Sequence, residues 1–197
     1  MQYDDASSGE TWTDLTGYPV DEVVMSYGVI SGIEKGLTYQ FRYRAKNAQG
    51  WGEYSDSLHL IAARRSDQID PIVTSNEGTD VRITWSEPTY DGGTPLHGYR
   101  IMIKSTADGL YYEYTDTCNG LDQTTKANMF CLVKSSVLRS APYELQLHDL
   151  VVAVVEAKNI IGYSVPSDEN DSGADFRTEP LSPSTLVERV ELGTTDT

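Results

Sequence analysis

Basic residues are scarce in this chain. Its 197 residues include 15 Lys and Arg against 30 Asp and Glu, which gives a net charge of −15 at pH 7. Nucleic-acid phosphates and anionic lipids would be repelled by such a surface, so neither is expected as a partner. The acidic residues are spread out, which indicates a solvated surface that resists self-association. The alternative explanation for the acidic residues is that some of them bind calcium between domains.

Long apolar runs are also absent. No stretch approaches the ~18 apolar residues that a membrane-spanning helix needs. The first residues lack the basic start and apolar middle of a signal peptide. We therefore expect no membrane insertion within this segment.

Cysteine is rare as well, with Cys118 and Cys131 the only two. Two cysteines so close in sequence favour a disulfide, which would contribute roughly 3 kcal/mol in the chain-entropy model. A disulfide would indicate an oxidising, extracellular location. Two reduced, buried thiols are the alternative. Neither cysteine has a C-x-x-C partner or a nearby histidine, which argues against metal or redox roles.

Sequence patterns for catalysis are missing too. The chain has no nucleophile motif, no glycine-rich phosphate loop and no cluster of metal ligands. We therefore expect a protein that is not an enzyme and that uses no cofactor or metal.

What the chain does contain is an alternating strand pattern that occurs twice. In the first copy, apolar residues alternate along a predicted strand, a turn follows, and Ser57 to Ala62 form a further strand. The alternating residues are Tyr39, Phe41, Tyr43 and Ala45, and the turn residues are Asn47, Gly50 and Gly52. The second copy spans Val151 to Ser167. It has Ala157, Asn159 and Gly162 at the offsets of Ala45, Asn47 and Gly50.

These segments resemble the last two strands of fibronectin type III domains, with Tyr39 as the tyrosine corner. The run from Trp85 to Ile101 resembles the second strand, loop and third strand of the same family. The resemblance implies an all-β fold of tandem two-sheet sandwiches, with Trp85 packed between the sheets. Val151 stands where Tyr39 stands, so a corner hydroxyl bond is not expected in the second copy. The segment with the cysteines also resembles repeats of very large surface proteins of single-celled eukaryotes, ciliates especially.

The resemblance divides the chain into four parts. Residues 1–64 are a partial domain with strands C to G, and residues 65–70 are a linker. Residues 71–176 are a complete domain, in which residues 118–142 form an elaborated edge. Residues 177–197 are a linker followed by the first strand of a further domain or a donor strand.

The two ends of the chain look like complementary parts of one sandwich. An alignment of the repeats places Met1 opposite Met102, and Pro180 to Thr197 resembles Pro71 to Asp80. The favoured interpretation is an excerpt from a longer array whose successive domains share elements. Strand donation between separate subunits is the second interpretation.

Few residues stand out as contact sites. Trp51 is predicted either to lie over the linker or to contact a partner. On the tail, Leu186, Val190 and Leu192 form one apolar face that other copies or adjacent domains would contact. Asn170 begins the only N-x-S/T sequon and is a glycan acceptor if the chain is secreted. The acidic residues around it favour a solvated loop over a calcium site.

The sequence thus predicts a structural repeat unit of a long extracellular fibre or cell-surface protein. Its contacts would use sheet edges and the C-terminal strand. A receptor or adhesion module that binds a protein or glycan through Trp51 and the loop Tyr90 to Pro95 is the alternative. An array associated with intracellular filaments is a third hypothesis, which free thiols would favour.

Overall fold

A computed structural model describes residues 1–17, 23–29 and 31–178. The predicted contact residues of the tail, Leu186, Val190 and Leu192, lie outside the described residues. We use two names below: the front unit is the described part of residues 1–64, and the second unit is residues 71–176.

The described residues form short strands and two short helices. In the front unit these are β1 (Gln2–Asp4), β2 (Trp12–Asp14), β3 (Thr38–Arg42), β4 (Lys46–Asn47), β5 (Gly50–Trp51) and β6 (Leu58–Ile61). In the second unit they are β7 (Val73–Glu77), β8 (Asp80–Thr84), β9 (Gly98–Lys104), β10 (Tyr111–Glu113), α1 (Gln123–Asn128), β11 (Phe130–Val133), α2 (Ser135–Leu138), β12 (Ala153–Asn159) and β13 (Gly162–Tyr163).

The second unit is a sandwich of two antiparallel sheets. One sheet, called here the main sheet, has the order β10-β9-β12-β13, and the other, the covering sheet, has the order β11-β8-β7. Alternate residues of β8 point inward, so that Val81 and Ile83 are fully buried against the main sheet. Trp85 packs in the same core, with its ring centroid 5.4 Å from that of Tyr99. The predicted all-β sandwich is confirmed.

The described part of the front unit contains one four-stranded sheet. The order is β2-β1-β3-β6, called here the front sheet, and its first three strands match β10-β9-β12 of the main sheet. The counterpart of β13 is β5, which forms a separate hairpin with β4. No covering sheet lies over the front sheet within residues 1–17, 23–29 and 31–64. Among the described residues, the inward face of the front sheet is therefore exposed along β6, although Tyr39 on the same face is buried.

The register of the front sheet corrects the alignment of the two repeats by one residue. Gln2 pairs with Arg42 in the front sheet, and Met102 pairs with Val154 in the main sheet. Arg42 and Val154 are equivalent because the repeats are offset by 112 residues at this strand. Met102 is thus the counterpart of Gln2, and Met1 corresponds to Ile101. A shift of one residue exchanges the two faces of a strand, so the correction matters for every side chain.

The segment of residues 118–142 is more regular than the sequence indicates. It contains α1, β11 and α2, and β11 pairs with β8 along its whole length. A four-residue strand and helices of six and four residues are too short to show a clear hydrophobic period. Cys131 lies in β11 and forms a disulfide with Cys118, with 5.5 Å between the Cα atoms. The bridge joins the covering sheet to the chain that leaves the main sheet at β10.

The second core extends beyond the second unit toward the front unit. Ile69, within the segment predicted as a linker, is fully buried in this core. Leu138 of α2 is also fully buried there. The short helix thus adds to the core instead of lying on the surface.

Candidate interaction surfaces

The turns that follow β3 and β12 make the same main-chain bonds in both units. Gly52 N donates to Ala45 O at 2.9 Å, and Ser164 N donates to Ala157 O at 2.8 Å. The Ser55 hydroxyl accepts from Tyr43 N at 3.1 Å. The Ser167 hydroxyl accepts from Val155 N, also at 3.1 Å. Serine at these two positions therefore satisfies a strand N–H that would otherwise lack a partner.

The corner before each of these strands is closed in a different way. In the front unit, Glu34 N donates to the Tyr39 hydroxyl at 2.7 Å. In the second unit, Val151 has no hydroxyl. Gln146 N, five residues earlier, donates to Asp149 Oδ2 at 2.7 Å instead. Gln146 N is the counterpart of Glu34 N, and the Asp149 carboxylate accepts its hydrogen bond in place of a tyrosine hydroxyl. The sequence predicts only that the tyrosine bond is absent.

The junction between the units is held by one buried amide. Asn159 Nδ2 donates to Arg64 O at 2.7 Å and to Asp91 O at 2.9 Å. Its Oδ1 accepts from Ile161 N at 2.9 Å and Gly162 N at 3.2 Å. The side chain therefore fixes its own turn, the last residue of the front unit and the loop after β8 at the same time.

The loop after β8 lies against the front unit. Arg64 N donates to Gly92 O and Asp67 N donates to Tyr90 O, both at 2.9 Å. Gly92 has a φ of +91°, and an added Cβ would come within 2.1 Å of Arg64 O. Only glycine fits this close approach. The loop Tyr90 to Pro95, predicted as a partner site in the receptor hypothesis, is thus engaged at the junction.

A stack of alternating cations and aromatic rings covers the outer face of the front sheet. The Arg42 guanidinium lies 3.7 Å from the Trp12 ring centroid and 4.1 Å from that of Tyr54. The Arg44 guanidinium lies 4.5 Å from the Tyr54 centroid and 4.7 Å from that of Trp51. We call this set, with Lys46 Nζ 5.4 Å from the Trp51 ring, the cation–aromatic stack. Each contact of this kind contributes ~0.5–1 kcal/mol at an exposed site.

Trp51 therefore packs on its own unit. Its side chain remains 42% exposed. The prediction that it contacts a partner stays a prediction. The stack is not evident from the sequence because its members come from β2, β3, β4, β5 and the residues Arg44 and Tyr54 between them. Only the spacing of two residues between Arg42, Arg44 and Lys46 is visible there.

Where the front unit has the cation Arg44, the second unit has an ion pair that carries no net charge. Arg44 corresponds to Glu156, which forms a salt bridge with Arg100. The Arg100 guanidinium also lies 4.2 Å from the Tyr163 ring centroid. Because Glu156 is buried, this ion pair is shielded from solvent more than a surface pair would be.

The predicted glycan acceptor is in the interior. Asn170 is only 6% exposed. Its Oδ1 accepts from Ala153 N at 2.9 Å, and its Nδ2 donates to Val151 O at 3.0 Å and Ser172 O at 3.1 Å. A glycan would be attached to this same Nδ2 atom and would break these bonds. The structure contradicts the prediction of an exposed acceptor, because the motif indicates only residue types and not burial.

The acidic residues around Asn170 face separate partners. Glu169 accepts from Lys104 Nζ at 2.8 Å and from the Tyr111 hydroxyl at 2.5 Å. Its hydrogen bonds, first with Lys104 and then with Tyr111, hold the pKa of Glu169 below its usual value. Desolvation and the bond to Glu169 raise the pKa of Tyr111. Asp175 pairs instead with Arg177 at 2.9 Å. The arrangement is that of separate surface ion pairs.

The described ranges contain neither a metal-ligand cluster nor a membrane-spanning helix. Among those residues, no three His, Cys, Asp or Glu side chains come together as metal ligands. None of the described helices is long and apolar enough to cross a membrane.

The inward face of the front sheet carries an apolar groove. The groove has a volume of about 410 Å³. Leu58 and Leu60 of β6, which line it, are 59% and 49% exposed. From the other side, Tyr27, Val29 and Ile33 line it.

Comparison with known proteins places the chain near proteins with fibronectin type III domains. No protein-family model matches it. The chain is 29% identical over 170 residues to human fibronectin type-III domain-containing protein 3A, covering 80% of this chain and 13% of the relative. It is 23% identical over 168 residues to human myomesin-2, covering 82% and 10%. It is 28% identical over 141 residues to a Kelch domain-containing protein of Saccharolobus solfataricus, covering 68% and 19%.

The chain thus spans less than a fifth of the length of these curated relatives. The relative named for fibronectin type III domains supports a domain of that type in this chain. Among solved structures, domains A168–A170 of titin match with a TM-score of 0.45 and 17% identity, covering 88% of this chain and 54% of that one. The sixth fibronectin type III domain of human fibronectin type III domain containing protein 3 matches with a TM-score of 0.41 and 17% identity, covering 60% and 94%.

Proposed function

We propose that this chain is a non-enzymatic repeat unit of a long extracellular fibre or cell-surface protein, which works as a spacer of defined geometry. Other copies or adjacent domains of the same array are its partners. They contact it through sheet edges and through the C-terminal strand predicted around Leu186, Val190 and Leu192. The observation that carries the proposal is the bonded junction between the front and second units.

A spacer needs a fixed angle at each junction. A flexible linker would let two domains reorient freely, since few contacts would cross it. Here Asn159 bonds to Arg64 and Asp91, and two further backbone bonds join Arg64, the last residue of the front unit, and Asp67 of the linker to the loop after β8. These bonds restrict rotation at the junction and give the array a defined direction from one unit to the next.

An extracellular location is supported by the disulfide. The bridge between Cys118 and Cys131 is buried in the second core, and disulfides persist in oxidising compartments. Mass spectrometry of the native protein under non-reducing conditions tests this. Two free thiols at these positions would favour the intracellular filament hypothesis instead.

The second candidate function is a receptor or adhesion module. The half-exposed Trp51, set among the cations of the stack, favours it, because Trp and Arg are enriched in binding hot spots. For that function, Trp51→Ala should abolish binding of a protein or glycan partner at the cell surface while both units stay folded. The loop after β8 no longer supports this candidate, since it is engaged at the junction.

The spacer function is tested on native material and on the isolated chain. Electron microscopy of the native assembly should show a regular axial repeat, and isolated beads without one would contradict the proposal. Small-angle X-ray scattering of the chain should show one narrow distribution of dimensions. Asn159→Ala should broaden that distribution, whereas the matched control Asn47→Ala should leave it unchanged, because Asn47 is an exposed residue of the front unit.

A further inference from the structure

Contacts between cations and aromatic rings occur in both units, but those of the second unit are largely neutralised. Three of the four cations that lie over rings in the second unit also form an ion pair with a carboxylate. The pairs are Arg82 with Glu77, Arg100 with Glu156 and Lys104 with Glu169. These contacts therefore add little positive charge to the surface of the second unit.

The two guanidiniums of the cation–aromatic stack are not neutralised in this way. Arg42 Nε and Nη2 donate to Gln2 Oε1 at 3.0 and 2.8 Å, and this acceptor belongs to a neutral amide. Among the described residues, the Arg44 side chain forms no hydrogen bond or ion pair, and its guanidinium lies against two rings. Three of the five Lys and Arg residues of residues 1–64 belong to the stack. The stack is thus a concentrated positive strip on a chain of net charge −15.

The order of the stack decides what it presents to a partner. Tyr54 lies between the Arg42 and Arg44 guanidiniums, and Arg44 in turn lies against the Trp51 ring. Ring faces, which carry the negative part of the aromatic quadrupole, are turned toward cations. The stack therefore presents the positive ring edges and guanidinium N–H donors, and both attract anions. Arg44 is exposed and Trp51 is half-exposed, so a partner can reach this end of the stack.

The shape of the stack favours a long, narrow polyanion over a folded acidic surface. Its members follow one another in single file, at cation–ring distances from 3.7 to 5.4 Å. A folded acidic protein, including a second copy of this chain, would also meet the acidic remainder of the chain. A narrow polyanion would meet only the stack, because charges more than ~8 Å away are screened at physiological ionic strength.

Two kinds of narrow polyanion fit the stack less well than a sulfated sugar chain. Single-stranded nucleic acid binds by stacking its bases on the faces of aromatic rings. In the stack, guanidiniums already occupy the faces of Tyr54. An acidic peptide is flexible and loses conformational freedom when it binds. A sulfated polysaccharide has stiff rings and needs no base stacking, and each sulfate offers several acceptor oxygens to an arginine.

We infer that the cation–aromatic stack binds a linear sulfated polysaccharide, whose sulfates pair with the guanidiniums of Arg42 and Arg44. The inference deepens the second candidate function, on which it rests, by giving the chemical class of the partner. Asp14 marks the edge of the site. It lines the same small cleft as Arg44, and its carboxylate accepts from Gln2 Nε2 at 3.0 Å.

The test is binding of dextran sulfate to the full chain, measured by calorimetry at several salt concentrations, with unsulfated dextran of the same length as the control. Dextran sulfate should bind with an affinity that falls as salt rises, and dextran should not bind. Arg44→Gln should lower the affinity about 10-fold or more and reduce the slope of log affinity against log salt by about 1, because one charged contact is lost. The matched variant Arg82→Gln should change neither, because Arg82 lies over the Phe130 ring, outside the stack.

Two further variants separate an electrostatic site from a change in the fold. Arg44→Lys keeps the charge and should keep the salt slope of the unmodified chain. Asp14→Asn should raise the affinity about 2- to 5-fold, because it removes a repulsive charge beside the site. A purely structural role of the stack predicts no gain from Asp14→Asn. Both variants test the inference even if Arg44→Gln does not fold.

Four results would overturn the inference. The first is no saturable binding of dextran sulfate at low salt. The second is an equal loss of affinity in Arg44→Gln and Arg82→Gln, and the third is weaker binding in Asp14→Asn. The fourth is binding of single-stranded DNA or polyglutamate as tight as that of dextran sulfate, which would assign the stack to another class of polyanion.

Failure of this inference can be distinguished from failure of the functions proposed above. If the chain does not bind dextran sulfate but Trp51→Ala still abolishes binding to a cell-surface partner, the second candidate function stands without a sulfated ligand. The spacer function is tested separately, by microscopy of native material, and does not depend on the outcome of the binding experiment.

Discussion

The front and second units share their hydrogen bonds at the end of the sheet but differ in what lies over it. Both use a serine hydroxyl, Ser55 or Ser167, to bind the same strand N–H. In the second unit the inward face is sealed by β7, β8 and β11, and the residues beneath are fully buried. In the front unit the inward face is open along β6.

This difference shows that local bonding and core formation are separable in this chain. Turn residues and main-chain pairs form from neighbours along the sequence, and both units have them. Burial of the whole face requires residues from a second sheet, and in the described part of the front unit Tyr39 is buried whereas Leu58 and Leu60 stay exposed. The stability of the two units should therefore depend on different residues, and matched substitutions measure how far they differ.

The largest expected difference is between a covered and an uncovered aliphatic residue. Ile83→Ala should destabilise the second unit by about 2–5 kcal/mol, because it leaves a cavity in a sealed core. Leu60→Ala, at a half-exposed position of the front sheet, should cost less than ~1 kcal/mol. Urea unfolding followed by amide exchange in each unit measures both. Equal losses would show that the front face is covered in solution.

The disulfide should stabilise only the second unit. Replacing both cysteines, Cys118→Ser with Cys131→Ser, should cost roughly 3 kcal/mol by releasing the loop they close. Amide exchange in β3 of the front unit should not change. Reduction of the unmodified protein is the control and should reproduce the effect. A loss of protection in both units would indicate that the front unit depends on the second for its stability.

The two corners should respond to different substitutions by similar amounts. Tyr39→Phe removes the acceptor of Glu34 N in the front unit, and Asp149→Ala removes the acceptor of Gln146 N in the second. Each should cost ~1 kcal/mol, the net value of one hydrogen bond. Exchange of the Glu34 and Gln146 amides reports each change directly. If Asp149→Ala left Gln146 exchange unchanged, the carboxylate would not be the functional counterpart of the tyrosine corner.

The smallest expected effect is a pH dependence confined to the second unit. Lys104 and Tyr111 lower the pKa of Glu169, so its bonds contribute stability above the ordinary value of 4.5 and lose it as pH falls through the lowered pKa. The carboxylate is half exposed, which limits the effect to less than ~1 kcal/mol. Glu169→Gln should reduce the stability difference between pH 7 and pH ~3. A variant with the full pH dependence of the parent would contradict this assignment.

Much of the second unit could be predicted from the sequence. The alternation of Val81, Ile83 and Trp85 and the turn pattern around Asn159 indicate strands and their order, because side chains alternate along a strand regardless of context. The register between the repeats could not be fixed in this way. Met1 and Met102 look alike in sequence, but only the pairing of Gln2 with Arg42 shows which residues face inward.

The candidate sites were harder to predict than the strands. The sequon at Asn170 indicated a surface position, whereas the amide is buried and bonds to Ala153, Val151 and Ser172. The role of Asn159 at the junction was likewise hidden, since its partners Arg64 and Asp91 are distant in sequence. Side-chain partners of this kind arise only when separate segments are brought together.

The amino-acid sequence by itself determined the all-β character, the turns and the acidic surface, because these follow from residues close together in the chain and from total charge. Tertiary structure alone decided which face of each strand is covered, which amide joins the two units, and that Asn170 is inside. The physical reason is that burial and buried hydrogen bonds depend on contacts between segments far apart in sequence, which no local pattern specifies.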